Sequence, residues 1–172
     1  AVGAMLAAMV ALHGGALPRV VVVPAMMLVG AAGGAAWAGI AAWLRRRFGV
    51  LEVISTIMLN FVALALLSWA VRGPLQEPTG IYPQSAPFPS SSHWPFLIPG
   101  QRLHLGFALG VLLALVAWFL LARTAVGFRV RLVGAGARAA TSAGGVATER
   151  TIAGVFLLSG ACGGLAGASE VG

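Results

Sequence analysis

Four stretches of this sequence are long and apolar with few or no charges: residues 18 to 44, 50 to 71, 103 to 122 and 151 to 169. A helix needs about 20 such residues to cross the hydrocarbon core of a bilayer. Inside lipid every backbone polar group must be satisfied within the segment, so such runs fold as helices. Composition agrees, with 59% hydrophobic and 9% charged residues against about 25% charged in a soluble domain. Too few polar side chains remain to cover a soluble globule. The fold class is therefore all-α, a polytopic transmembrane helical bundle whose solvent is the lipid bilayer. A fifth apolar run, residues 1 to 12, ends at His13-Gly14-Gly15 and is too short to span alone. It reads as the end of a truncated span, with His13 at an interface. The chain also lacks an initial Met and stops inside an apolar segment, so a piece of a longer chain is expected.

The charges orient the spans. All 11 basic residues are Arg, and the four acids are Glu52, Glu77, Glu149 and Glu170. Arg45, Arg46 and Arg47 stand together after the first full span. Arg123, Arg129, Arg131, Arg138 and Arg150 populate residues 123 to 150, opposed only by Glu149. Basic residues gather in cytoplasmic loops, so both segments are expected inside. The net charge of +7 is thereby explained by topology, and no nucleic-acid partner is needed. Residues 72 to 102 hold seven of the nine prolines, which forbid a long helix. That segment is expected as an external loop, with room for a short surface element.

One span is unusual. From Phe48 to Ala63 the chain reads FGVLEVISTIMLNFVA, an apolar helix carrying Glu52, Ser55, Thr56 and Asn60. At 100° per residue these four fall within an arc of about 140°. The opposite face is Val53, Ile54, Ile57, Met58 and Phe61. A carboxylate and an amide are costly against lipid, so the stripe should face protein or a water-filled cavity. It either hydrogen-bonds a neighbouring helix or lines a pathway. Asn60 lies about 12 Å deeper than Glu52 along the axis and can both donate and accept, which suits a neutral polyhydroxylated ligand. Glu52, next to the arginines, is assigned to an inner gate or to pairing with an arginine. Glu170, at the far end of its span, is assigned to the outer half of the pathway.

Glycines mark helix contacts. Gly30 and Gly34 are four apart, with Gly33 beside them. Gly160 with Gly164, and Gly163 with Gly167, form two overlapping G-x-x-x-G pairs. Gly163 and Gly167 are expected where a neighbouring helix comes close. Cys162, the one cysteine, reads as a small packing residue. Catalytic patterns are absent: there is no H-E-x-x-H, no G-x-x-x-x-G-K, no G-x-S-x-G and no Asp. Ser55 and Glu52 share a face, but nothing supplies the oriented base a serine nucleophile needs. No metal, cofactor or catalytic residue is assigned.

Phe48 to Ala63 resembles the GVNEVISTLMLNYIA-type signature of ABC-transporter permeases for nucleosides and related simple sugars, within the branched-chain amino acid and ribose permease superfamily. Pro83 to Pro87 resembles the external loop of the same group. Arg102 to Gly106 is similar to its approach to the next helix. Thr124 to Gly145, with Gly127-Phe128 and Val133-Gly134-Ala135, looks like its cytoplasmic loop, and Ser159 to Val171 resembles its SGALAGLAGANEV segment. The sequence departs from the pattern at Leu51, where the group carries a polar residue, at Gly136-Ala137 in place of Asn-Pro, and at Ser169 in place of Asn.

The resemblance implies one of two membrane subunits of an ATP-driven importer in the cell membrane. Its partners would be a second permease subunit, a cytoplasmic ABC ATPase and an external substrate-binding lipoprotein, and the chain itself would hydrolyse nothing. A branched-chain amino acid or ribose-type permease, and a membrane scaffold subunit with no pathway, remain open. On the importer reading the pathway residues are Glu52, Ser55, Thr56, Asn60 and Glu170. The segment from Gly134 to Arg150 is expected to receive the ATPase, with Ala137 to Ala143 forming a helix of one or two turns. Its docking residues are Arg138, Ala139, Ala140, Gly144 and Arg150.

Overall fold

The computed structural model describes residues 1–14, 18–77, 84–88, 105–144 and 147–171, with backbone alone at 138, 139, 143 and 144. Seven helices follow in order: α1 (Val2–His13), α2 (Arg19–Phe48), α3 (Glu52–Arg72), α4 (Leu105–Arg123), α5 (Ala125–Ala135), α6 (Ala137–Gly144) and α7 (Thr148–Val171). Among the described residues there is no strand, only one isolated bridge, so the fold is an all-α bundle. Helices α2, α3, α4 and α7 are long and apolar enough to cross a membrane.

The pair α2 and α7 forms the most extensive interface, and α1 lies in the angle between them. Small residues make this possible. A Cβ on Gly34 would run into the carbonyl oxygen of Gly160, and one on Gly164 into the carbonyl oxygen of Gly30. Gly3 of α1 meets the same point, with the Gly164 Cα and the Gly30 carbonyl in its way. In lipid no hydrophobic force draws helices together, so close backbone packing carries the association. Toward one end the contact becomes side-chain packing, where Ala7, Ala11, Val22, Met26 and Ala168 form the buried cluster. The expectation for the second glycine pair is half corrected. Gly167 lies against Ala4, but a Cβ on Gly163 would meet nothing within 4 Å. The helix is close to its neighbour on the Gly160–Gly164 side, and Gly163 is turned about 100° away per helical step.

Helix ends are set locally. Gly49 takes φ +65° and returns its N–H to the Arg45 carbonyl, a left-handed stop after α2. Arg45, Arg46 and Arg47 fill the last turn of α2, where cations suit the helix dipole. Trp43 and Phe48 pack edge to face at 5.6 Å there, with Arg47 over the Phe48 ring. At the other end of α1, His13 donates from Nδ1 to the Met9 carbonyl at 2.8 Å.

Two segments outside the long spans carry local structure among the described residues. After α3, Leu75 to Glu77 pairs with Gln84 to Ala86 through the Gln76–Ser85 bridge, and Phe88 returns to pack on the buried cluster. Arg102 and His104 lie outside the described residues. After α4 the expected basic loop is mostly helical. Thr124 caps α5, accepting from the Gly127 N–H at 3.2 Å while donating to the Leu120 carbonyl at 2.6 Å. Gly127 sits where a Cβ would strike the backbone of Leu120 and Leu121, so the chain turns sharply from α4 into α5. The next helix, α6, covers the short run expected from Ala137 to Ala143. Helix α7 begins at Thr148, which places Glu149 and Arg150 in its first turn rather than in a loop.

Candidate functional site

The polar stripe of α3 does not act as one unit. Thr56 and Asn60 line a cavity of about 350 Å³ whose other walls are Trp37 and Ala41 of α2 and Phe156 and Ser159 of α7. Ser55 does not line it. That residue is buried, and its hydroxyl donates to the carbonyls of Leu51 and Glu52 at 3.3 and 3.1 Å. Its donor proton is used within its own helix. Thr56 likewise donates to the Glu52 carbonyl at 2.8 Å, but its oxygen keeps acceptor capacity toward the cavity. Asn60 is exposed to the cavity with its amide free of helix bonding among the described residues.

Glu52 stands below this chamber as the first residue of α3, and its carboxylate forms an ion pair with Arg45 of α2. The partners are well chosen. A carboxylate suits a helix N-terminus and a cation suits a C-terminus, and Gly49 turns the chain so that the two ends meet. Of the two roles the sequence left to Glu52, pairing with an arginine is the one seen. Both side chains stay about a third or more exposed, 31% for Arg45 and 45% for Glu52, so the pair contributes at most about 1 kcal/mol. It borders a second cavity of about 320 Å³, shared with Val130 and Val133 of α5 and Thr151 and Val155 of α7.

Glu170 is exposed at the opposite end of α7, about 28 Å from Thr151 along the axis, with no ion pair among the described residues. The side chains of Arg138, Ala139 and Gly144 lie outside the described residues, although the backbone places all three on α6. Ala140, also assigned to the docking face, is fully buried within the chain. Thr141 and Thr148 hydrogen-bond at 2.9 Å and tie α6 to the start of α7. Arg150 is exposed and borders an open basin of about 770 Å³ with Arg46, Thr141 and Glu149. Cys162 is exposed on the groove between α7 and α4 rather than packed.

Sequence reasoning missed Trp37, Phe156 and Ser159. Trp37 lies inside a long apolar span, and Ser159 is hidden in a Gly-rich run. Phe156 is the one aromatic residue between Thr148 and Val171, which is the signal that could have found it.

Apolar helices long enough to cross a bilayer, gathered around a small cavity that Thr56, Asn60 and Ser159 border, fit a membrane permease. The chain belongs to the family described as the permease component of branched-chain amino acid transport systems, whose model matches residues 1–171. It is a multi-pass protein of the cell membrane. It is 38% identical over 165 residues to the glucose ABC transporter permease protein TsgB13 of Haloferax volcanii, covering 90% of this chain and 43% of that protein. It is 36% identical over 159 residues to the guanosine ABC transporter permease protein NupP of Bacillus subtilis, covering 89% of this chain and 44% of that one. A nucleoside ABC transporter permease protein, NupB of Lactococcus lactis, is 26% identical over 161 residues, covering 88% of this chain and 43% of that protein. The chain thus spans less than half the length of these curated relatives. No solved structure matches it.

Proposed function

We propose that this chain carries part of the substrate route of an ATP-driven importer for nucleosides or related simple sugars. The observation that supports this most is the convergence of Thr56, Asn60 and Ser159 on one cavity walled by Trp37 and Phe156. Hydroxyls and an amide both donate and accept, as a ligand rich in hydroxyls requires. Aromatic walls offer area to a base or to the apolar face of a sugar ring. At about 350 Å³ the cavity falls at the small end of ligand sites, which run from about 300 to 1,000 Å³. Among the described residues no charged side chain lines it. A zwitterionic amino acid would bring two charges that need partners once desolvated, so a neutral ligand is favoured over a branched-chain amino acid. The glucose and guanosine named for two relatives are both neutral and hydroxylated.

In this reading the Arg45–Glu52 pair closes the inner end, and Glu170 belongs to the outer half. An external lipoprotein delivers the ligand, a second permease subunit completes the channel, and a cytoplasmic ABC ATPase supplies the work. The ATPase would dock on α6 and the basin bordered by Arg46 and Arg150.

The test is uptake of labelled nucleosides, sugars and amino acids by the full-length permease with its partner subunits, in cells lacking competing importers. Nucleosides or simple sugars are expected to accumulate. Asn60→Leu roughly keeps the side-chain size and removes its polar atoms. Losing one or two hydrogen bonds at about 0.5–1.5 kcal/mol each should lower uptake about tenfold at unchanged membrane levels. Wild-type rate and affinity in that variant would place the route on another helix.

A further inference from the structure

The two cavities lie in register along three helices. On α2, Gly34, Trp37 and Ala41 border the chamber that holds Asn60, and Arg45 borders the next one. On α3 the order reverses with the chain direction: Glu52 borders the lower chamber, then Thr56, Asn60 and Ala63 the upper. On α7, Thr151, Ile152 and Val155 border the lower chamber, and Ser159, Gly160 and Gly163 the upper. Each set recurs at three or four residues, the spacing of a single helix face. The chambers are therefore successive parts of one groove. Among the described residues, Phe156 is the one that borders both.

We infer that Phe156 is the partition of this groove, an apolar gate between the upper chamber that holds Asn60 and the ion-paired lower one. Its ring is half-buried, between two spaces of about 350 and 320 Å³ that leave room for it to turn. A large apolar side chain across a polar route blocks water and polar solutes until it moves aside, as hydrophobic constrictions in channels do. Polar side chains border the space on either side of it, Thr56, Asn60 and Ser159 above and Arg45, Glu52 and Thr151 below, set among apolar walls. The ion pair then guards the inner mouth, and Phe156 sets the boundary one turn deeper. The role in transport rests on the function proposed above. The partition itself rests on geometry alone.

The experiment uses the full-length permease with its partner subunits in inside-out vesicles, with native cysteines replaced. Ser159→Cys reports on the upper chamber and Thr151→Cys on the lower. An impermeant thiol reagent is added from the side of the Arg45–Glu52 pair. Thr151→Cys is expected to label with or without Phe156. Ser159→Cys should label slowly when Phe156 is present and at least several-fold faster with Phe156→Ala. Phe156→Leu keeps an apolar plug and should label near the slow rate. Equal labelling of Ser159→Cys with Phe156 and with Phe156→Ala would overturn the partition. So would failure of Thr151→Cys to label, or an acceleration in Phe156→Leu as large as in Phe156→Ala, the mark of general loosening. Labelling needs no substrate. If none of the uptake panel is transported, the proposed function fails while the partition is still decided by these rates.

Discussion

Ser55 and Asn60 stand five residues apart on α3 and have different fates. Five steps of 100° separate them by about 140°, the two edges of the polar stripe. That angle is enough to bury Ser55 against its own helix backbone and to open Asn60 onto the cavity. Ser55→Ala should therefore leave uptake and thermal stability unchanged, because the hydroxyl's bonds to i−3 and i−4 carbonyls add little to a helix. Measured beside Asn60→Leu in the same transport assay, it separates a pathway residue from a polar bystander. A loss of uptake in Ser55→Ala would mean that the whole stripe is functional. Glu52 shows a third outcome: its carboxylate bridges two helix ends that Gly49 brings together.

Helix α7 meets α2 through one edge of its glycine run. Gly164→Leu would drive a side chain into the Gly30 carbonyl and the adjoining α2 backbone. Overpacking of this kind costs about 1–3 kcal/mol or more, so the variant should show a lower melting temperature and lower yield of folded complex. Gly163→Leu enters open space beside the cavity. It should fold normally and reduce uptake by filling the chamber. Equal stability loss in both would show that α7 packs through both edges. At the inner end, α5 and α6 form an elbow fixed by Thr124, Gly127 and the Thr141–Thr148 bond. Changing Arg138→Glu on α6 reverses a charge on the proposed ATPase surface. Co-purification of the ATPase and uptake should both fall while the permease still inserts, and unimpaired co-purification would place the docking surface elsewhere.

The whole molecule is a tight core of α1, α2 and α7, with α3 beside it and α4 exposed along its length. The orientation expected for it rests on the arginines, which cluster at residues 45–47 and 123–150. Cysteines introduced at Ser91 and Ala139 should label from opposite faces of the membrane, Ser91 from outside. Reaction of both with an impermeant reagent in intact cells would contradict that topology. The all-α class and the membrane environment were determined by the sequence alone, because apolar length and charge placement are properties of each segment by itself. So were the stop at Gly49 and the short helix near Ala137, which depend on neighbours a few residues away. The expected basic loop hid α5, since Gly127 and Gly134 depress helix propensity and only contact with α4 explains the first of them. Tertiary structure also decided which G-x-x-x-G pair carries the packing, why Ala140 is buried, and that Trp37, Phe156 and Ser159 join Asn60 around one cavity. Phe156 and Ser159 stand more than 90 positions from Asn60 in the chain. Helical periodicity gives each residue an angle on its own axis. Only the rotation of one helix against another decides which angles face each other.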